Sequence, residues 1–293
     1  MKILKNITVF TMVMLLSVST VLEAREKNIS NFSSSASNLV DSTGTFDGNK
    51  IYADVANNGL FLDFHVSGDS ALEWPKGTGV HSIFQSALWM GATVNGSIRT
   101  IVGDYTQDMG PGPWGGDPLA AVHRIYKVEK SMLASPLDFA DFQEWPVEFG
   151  APWVDVDGDG VYTPLPGGTD HPEFLGDQVL WFVSNDGDPA YKLNFGTSPM
   201  NVEIQTTMFG FDRPDVFGDM VFLKQLVINK GSDDLVDTYM GLWSDPDLGY
   251  AGDDFVGCDV ALGMGYVWND GDDSQYSTSV SYTHLRAHET SQH

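Results

Sequence analysis

Cysteine is almost absent from this chain, because Cys258 is the single one among 293 residues. No disulfide can form within the chain, which excludes the crosslinks that stabilise many small secreted domains. A free cysteine is most often a small buried apolar side chain, so we expect Cys258 to be buried. Stability must therefore come from the apolar core, or from a metal ion that binds only the folded state.

Basic residues are also scarce. The chain has 15 lysines and arginines against 40 aspartates and glutamates, a formal net charge of −25 at pH 7. This excess of negative charge repels nucleic acids and anionic membrane surfaces, so we expect neither as a partner. The composition is still that of a folded protein, since 42% of the residues are hydrophobic and 12% are aromatic.

Catalytic motifs are missing as well: the sequence contains no GxSxG, no HExxH and no phosphate-binding glycine loop. We therefore predict no catalytic residues and expect a non-catalytic protein. One alternative remains, because an exposed tryptophan can stack on a sugar ring. The chain is then a secreted carbohydrate-binding module or a glycan-active hydrolase, with an exposed tryptophan beside two carboxylates. We expect most tryptophans in the core, since Trp89, Trp181 and Trp243 fall inside predicted strands.

Helix-forming patterns are rare, and the best one, residues 137–144, is one or two turns long. Short apolar runs separated by Gly, Pro and Asn instead predict strands. The predicted strands are residues 51–56, 60–64, 88–94, 97–102, 122–128, 178–183, 202–211, 220–229, 238–243 and 260–268. Many short strands with almost no helix indicate an all-β fold, a β-sandwich or a jelly roll with long acidic loops.

Two turns and one strand add detail to this fold. Asn95-Gly96 lies between two apolar runs and predicts a type I′ hairpin, in which both turn residues need a positive φ. Asn57-Asn58-Gly59 predicts a second hairpin, between residues 51–56 and 60–64. Residues 220–228 are apolar on both faces for most of their length, which predicts a central strand covered on both sides.

The chain divides into four predicted segments. Residues 1–24 have the pattern of a secretory signal peptide, with two lysines before an apolar run and Ala24 at the cleavage point. Residues 25–49 are predicted to be a flexible leader, and residues 50–278 a single β-rich domain. Residues 279–293 have a different composition and are treated as a separate tail. We expect a protein that is secreted or held at the outer cell surface, without a stable membrane span after signal cleavage.

An acidic loop is the most informative stretch. Asp155, Asp157 and Asp159 alternate along the chain, and Gly160 follows them directly. Calcium takes roughly six to eight oxygen ligands, and DxDxDG loops supply them at alternate positions, with a glycine at the sharp turn. In this pattern the backbone carbonyl of Val161 is the next ligand. The spacing therefore predicts a calcium site.

The closing ligand of this site departs from the helix-flanked calcium loop, because Pro166 stands where a carboxylate is needed. Asp170, Glu173 or Asp177 has to supply it. The predicted ligand set is Asp155, Asp157, Asp159, the carbonyl of Val161, and Asp177. Twelve acidic residues and no lysine or arginine lie between residues 131 and 191, which favours a bound cation. The alternative is a solvated turn, in which Asp and Gly are also common.

A second acidic segment lies near the C-terminal end. Asp245 and Asp247 follow a predicted strand, and eleven aspartates but no lysine or arginine occur between residues 233 and 273. Asp245 and Asp247 are therefore candidate ligands of a second cation, or of the first one. A solvated acidic loop is the alternative here as well.

Six stretches together carry a resemblance to a known family. They are NNGLFLDF (57–64), EWPKGTG (73–79), IFQSALWMGATVNGSIR (83–99), WPVEFGAPWVDVDGDGVYTP (145–164), GDQVLWFVSNDGDP (176–189) and LWSDPDLGYAGDDFVGCD (242–259). They resemble a family of secreted surface proteins of Gram-negative bacteria that carry type IX secretion sorting domains. The resemblance implies an N-terminal β-region followed by further β-domains and a sorting domain for export and surface attachment. It implies no activity.

Residues 280–290, VSYTHLRAHET, resemble the translation of a transposase-type sequencing adapter. We therefore predict that residues 279–293 are not native and that the natural chain, and its β-domain, continue further. The sequence as a whole predicts a non-catalytic, calcium-stabilised extracellular β-domain of a larger adhesin-like surface protein. Calcium is the expected cofactor, and a surface glycan or another cell-surface protein is the expected partner.

Overall fold

The computed structural model describes residues 9–11, 43–165 and 167–269. The predicted C-terminal tail lies outside the described residues, as do most of the predicted signal peptide and most of the leader. The structure is 40% strand and 11% helical, with the strands in several antiparallel sheets. The predicted all-β fold is confirmed. No helix in the described part of the chain is long and apolar enough to span a membrane.

Strands are numbered here along the chain. They are β1 Val9–Thr11, β2 Thr43–Phe46, β3 Tyr52–Ala56, β4 Leu72–Glu73, β5 His81–Val94, β6 Ser97–Val102, β7 Gly110–Pro111, β8 Tyr126–Glu129, β9 Trp153–Val154, β10 His171–Pro172, β11 Gln178–Asn185, β12 Val202–Gly210, β13 Phe222–Asn229, β14 Val236–Pro246, β15 Asp254–Asp259 and β16 Met264–Asn269. The α-helix, α1, is Ala140–Gln143, and 3-10 turns lie at Ala121–His123, Lys130–Ala134, Pro136–Asp138, Val147–Phe149, Pro189–Tyr191 and Val216–Asp219.

Two six-stranded sheets form the body of the protein. In the first sheet the strand order is β1-β13-β12-β11-β7, and β8 also pairs with β11. In the second sheet the order is β14-β5-β4-β3-β2, and β6 pairs with β5. The pairs β9/β10 and β15/β16 form two separate ribbons. Side chains of both large sheets share one buried cluster, which makes the body a β-sandwich.

Two hydrophobic cores lie on opposite faces of the first sheet. The first core fills the space between the sheets and includes Phe46, Val55, Leu88, Leu180 and Ile204. The second core includes Phe142, Trp145, Trp181 and Phe209, with Trp153, Tyr162 and Phe174 packed against it. Segments between β8 and β11 therefore form a third layer, which covers the outer face of the first sheet.

Strand β11 lies between the two cores, and all eight of its residues are buried. Because side chains alternate along a strand, Leu180 and Phe182 enter the first core, while Trp181 enters the second. The prediction of a doubly covered strand at residues 220–228 was wrong. The corresponding strand, β13, is half-buried along most of its length, because the buried residues that this sheet gives to the second core come from β8, β11 and β12 and not from β13.

The N-terminal boundary of the β-domain lies before residue 50. Strand β2 pairs with β3, and the side chain of Phe46 is fully buried in the first core. Residues 43–49 therefore belong to the domain and not to the predicted leader. Strand β1 falls inside the predicted signal peptide and pairs with Leu223–Gln225 of β13. The signal peptide itself stays a prediction.

The Asn95-Gly96 hairpin is confirmed. Val94 of β5 pairs with Ser97 of β6. The two turn residues have φ angles of 50° and 77°, both in the left-handed region that a type I′ turn requires.

The predicted hairpin at Asn57-Asn58-Gly59 is not formed. Strand β3 pairs with β2 and β4, and Leu62 instead forms a bridge with Ser86 of β5. Asn57 and Asn58 are buried, and the Nδ2 of Asn58 donates to Gln107 over 3.0 Å. Buried side-chain hydrogen bonds thus replace the exposed turn that the dipeptide usually favours.

Cys258 lies in β15 and is exposed, so the expectation of a buried cysteine was wrong. A two-stranded ribbon has no second layer of its own to cover its faces. The β15/β16 pair therefore leaves several of its side chains open to solvent.

A buried charge cluster joins the ends of the two sheets. The ammonium of Lys192 donates to the carbonyl of Thr100 over 2.7 Å and to Asp108 over 3.3 Å, and it lies 3.8 Å from Asp186. Asp186 also accepts hydrogen bonds from the backbone N–H groups of Met200 (2.6 Å) and Val202 (2.8 Å). All three charged side chains are almost completely buried. The cluster therefore places two buried carboxyl groups around one buried ammonium group.

A more exposed pair gives a prediction for acid stability. Asp219 accepts from the ammonium of Lys50 (2.9 Å) and from the indole N–H of Trp74 (3.0 Å). Partial burial raises the pKa of Asp219, but these hydrogen bonds and the charge of Lys50 lower it more, so the net pKa lies below its ordinary value of 3.8. Folding therefore favours the ionised form. This stabilisation is present above the unfolded pKa and is lost as the pH falls through the folded pKa.

We expect Asp219→Asn to lower the free energy of unfolding at neutral pH by about 1 kcal/mol or less, because the ion pair is partly exposed. Below the ordinary pKa, the difference between wild type and variant should shrink towards zero. Urea denaturation at neutral and acidic pH measures both values. A difference that stays constant on acidification would contradict the assignment.

Candidate metal site

The acidic loop is closed by the β9/β10 ribbon. Trp153 pairs with Pro172, and Val154 pairs with His171. Asp155 and Asp170 are the residues directly after β9 and directly before β10. Within the loop, the ring of Tyr162 packs edge to face on the ring of Trp153 in β9, with the centroids 5.5 Å apart. The two ends of the loop are therefore fixed to the third layer of the domain.

Three carboxylates meet in this loop. One oxygen atom each of Asp155, Asp157 and Asp170 can be chosen so that all three lie within 4.8 Å of one another. Asp155 and Asp157 are exposed, whereas Asp170 is 2% exposed. In the described part of the chain, this is the one group of three or more acidic, histidine or cysteine side chains close enough to share a metal ion. We call it the loop triad.

Local hydrogen bonds hold Asp155 in place. Its Oδ1 accepts from the N–H of Gly158 over 2.7 Å, and its Oδ2 accepts from the N–H of Gly160 over 2.9 Å. Both glycines have a positive φ, of 78° and 77°. Glycine adopts this conformation without a steric cost, so the DGDG sequence allows the chain to fold back over the Asp155 carboxylate.

Asp170 is the anchor of the triad. Its Oδ1 accepts from the N–H of Val156 (2.9 Å), and its Oδ2 accepts from the N–H (2.8 Å) and the hydroxyl (3.2 Å) of Thr163. Hydrogen bonds from the backbone of Thr163 and then of Val156 lower the pKa of Asp170 below its ordinary value. The carboxylate is therefore ionised at neutral pH and is fixed from both sides of the loop.

The pKa of Asp157 is shifted in the opposite direction. The N–H of Asp159 donates to Asp157 and lowers its pKa, but desolvation and the negative charges of Asp159, Asp170 and Asp155 raise it more, so the net pKa lies above its ordinary value. Desolvation is the largest contribution that raises this pKa, and repulsion from the three neighbouring carboxylates adds to it. A cation placed among the three carboxylates would remove the repulsion, and hard divalent cations prefer oxygen ligands of this kind.

The other residues predicted for this site lie outside the triad. Asp159 uses its Oδ1 to accept from the N–H of Val161 over 2.8 Å, and the Val161 side chain is exposed. Asp177 lies directly before β11, and its Oδ2 accepts from the N–H of Asp212 over 2.9 Å. Of the three candidates for the closing carboxylate, the structure brings Asp170 to the site. Its position directly before β10 follows from strand pairing, which the DxDxDG spacing does not contain.

Asp245 and Asp247 lie elsewhere, at the end of β14. Asp245 accepts from the hydroxyl of Tyr105 over 2.7 Å, and the N–H of Asp247 donates to the carbonyl of Ser82 over 3.1 Å. Burial, and then the negative charge of Asp245, raise the pKa of Tyr105, so the phenol remains protonated and is a hydrogen-bond donor. Neither aspartate joins the loop triad, and the second cation site stays a prediction.

Calcium needs roughly six to eight oxygen ligands, and three carboxylates supply up to about six when each binds through both oxygens. Backbone carbonyls and water are the usual source of the remaining ligands. The donor set of the triad therefore suits calcium better than a thiophilic metal, which takes sulfur or imidazole ligands.

Comparison of the chain with protein-family models, with curated proteins and with solved structures gave no match.

Proposed function

We propose that this chain is a non-catalytic β-sandwich module of an extracellular or surface protein, and that calcium bound by the loop triad stabilises it. The observation that carries the proposal is the convergence of Asp155, Asp157 and Asp170 within 4.8 Å. The extracellular location is supported by the signal-like residues 1–24 and by the resemblance to secreted surface proteins.

The geometry of the loop supports a structural role for calcium as part of this proposal. The triad joins the two ends of a long loop, and Asp170 already connects Val156 on one side of it to Thr163 on the other. A cation that binds only this folded arrangement adds its binding free energy to the stability of the domain. Because the chain has a single cysteine and no intrachain disulfide, the core and such a ligand remain as its sources of stability.

We expect calcium at about one hundred times its dissociation constant to stabilise the protein by about 2.7 kcal/mol. For a domain of this size, this corresponds to a rise in melting temperature of roughly 5–10 °C. Thermal unfolding with calcium, and then with a chelator, measures it. Magnesium should give a smaller rise, since it requires a stricter octahedral geometry and retains its water.

Two variants test whether the triad is responsible. Asp157→Asn retains a side-chain oxygen that accepts from Asp159 but removes the charge, so it should fold normally and lose most of the calcium-dependent rise. Asp188→Ala is the matched control, because Asp188 is also exposed and accepts a local N–H, that of Ala190 (2.9 Å), outside the triad. No rise in the wild type, or an equal rise in Asp157→Asn, would refute the proposal.

A further inference from the structure

A row of aromatic side chains lies on the outer face of the second sheet. Trp89 of β5 is paired with Gly241, and Trp243 of β14 is paired with Ala87, so the two tryptophans are diagonal neighbours on the same face. Their ring planes are parallel within 5°, and their centroids are 6.4 Å apart. This pair forms the centre of the row.

The row continues on both sides of the pair. The ring of Tyr105 packs edge to face on Trp243 with centroids 5.4 Å apart, and its hydroxyl donates to Asp245. On the other side, Tyr239 is paired with Gly91 and is 77% exposed. We call Tyr239, Trp89, Trp243 and Tyr105 the aromatic row. From Tyr239 to Trp243 it extends about 13 Å along β14, at about 3.3 Å per residue.

The neighbouring residues of the sheet keep the Trp89 side chain exposed. Its indole N–H donates to the carbonyl of Gly103 over 2.6 Å, which fixes the orientation of the ring. Gly91, two residues along β5, and Gly241, directly across on β14, have no side chains to cover it. Trp89 is 37% exposed, although most of β5 around it is buried. An oriented and exposed indole on a rigid strand is a preorganised binding surface.

Charge restricts what this surface can bind. Neither β5 nor β14 carries a lysine or arginine, whereas Asp237 and Asp245 lie on β14 and Asp247 follows it. Together with the net charge of −25, this disfavours nucleic acids, anionic lipids and anionic glycans. Aromatic faces beside hydrogen-bond acceptors suit an uncharged ligand that has apolar C–H faces and hydroxyl donors.

We propose that the aromatic row binds a neutral polysaccharide. The C–H face of a sugar ring packs against an exposed aromatic face, and its hydroxyls can donate to the Asp245 carboxylate. A carboxylate has about four acceptor sites, so Asp245 can accept from a sugar while it holds Tyr105. The length of the row favours an extended sugar chain over a single sugar. This site goes beyond the proposed calcium function and does not depend on it.

Native gel electrophoresis of the full chain in gels that contain a polysaccharide tests the proposal. The neutral probes are xyloglucan, laminarin and galactomannan, and the charged probe is alginate. We expect at least one neutral probe to retard the wild type, and alginate not to do so. Trp89→Ala should weaken binding about tenfold or more. Trp114→Ala is the matched control, because Trp114 is 44% exposed and lies outside the row. It should bind like the wild type.

Three further results would overturn the proposal. They are no retardation by any neutral probe, equal loss of binding in Trp114→Ala, and a wild-type dimer that Trp89→Ala converts to monomer in sedimentation. Trp89→Phe, which retains an aromatic ring, should bind more tightly than Trp89→Ala, and this separates loss of the surface from misfolding. Asp157→Asn should bind the probe like the wild type, so failure of the calcium proposal is measured separately.

Discussion

Replacement of Lys192 by methionine should destabilise the protein by about 3–5 kcal/mol, because it leaves two buried carboxylates without their cation. Asp108 and Asp186 lie 3.3 and 3.8 Å from the ammonium of Lys192, and all three side chains are almost fully buried. Urea denaturation at neutral pH measures the loss. The matched control is Lys50→Met, whose ion pair with Asp219 is partly exposed and should contribute about 1 kcal/mol or less.

The same variant should show a distinct pH dependence. Burial raises the pKa of Asp186, whereas its backbone hydrogen bonds and the charge of Lys192 lower it. The effect of burial is larger, so the net pKa lies above its ordinary value of 3.8. A carboxyl group with a raised pKa binds its proton more readily in the folded state, so its contribution to stability increases as the pH falls. Without Lys192, protonation is the remaining way to remove the buried charge. The cost of Lys192→Met should therefore be smaller at about pH 4.5 than at neutral pH. An equal cost at both would contradict the buried-charge explanation.

Truncation of either Trp181 or Phe182 to alanine should cost about 3–5 kcal/mol, the usual range for a large buried aromatic side chain. The two residues are adjacent in β11, yet they enter different cores. If the third layer is an integral part of the fold, the two variants should be similarly destabilised. Chemical denaturation of both variants, with fluorescence and circular dichroism as probes, measures the comparison.

Trp114→Ala is the control for this pair and should cost less, because Trp114 is 44% exposed whereas Trp181 and Phe182 are each 2% exposed. A Trp181→Ala variant that costs much less than Phe182→Ala would mean that the third layer separates easily from the sheet. The transitions recorded by the two probes would then fail to coincide.

The fold class was predictable because it depends on local signals. The Asn95-Gly96 turn and the strand at residues 97–102 follow from short-range chemistry, and the structure places both as expected. The identity of the doubly covered strand did not follow. Residues 220–228 and 178–183 are both rich in apolar side chains, and which of them becomes central depends on what packs against the outer face. The segment that covers β11 lies between β8 and β11 in the sequence. The apolar pattern of a strand does not show which other segment packs on its outer face.

The candidate site was predictable in part for the same reason. Alternating aspartates identified Asp155 and Asp157, because their spacing is local. Asp170 reaches them through the pairing of two-residue strands, which are too short to leave a periodic signal. The Lys192 cluster depends on the contacts of Lys192 with Thr100 and Asp108, which lie 92 and 84 positions away, so the local sequence around Lys192 and Asp186 does not predict it.

Residues 155–161, at the start of the loop between β9 and β10, are exposed, whereas Tyr162 in the same loop packs against the second core. A peptide bond cut inside this loop would divide the chain into two pieces, but the β8/β11 ladder and both cores would still hold them together. A bound cation should therefore slow cleavage of the loop by a protease. The cleaved domain should remain folded. An insertion within the exposed residues 155–161 should for the same reason leave the sandwich folded, although it would disrupt the loop triad.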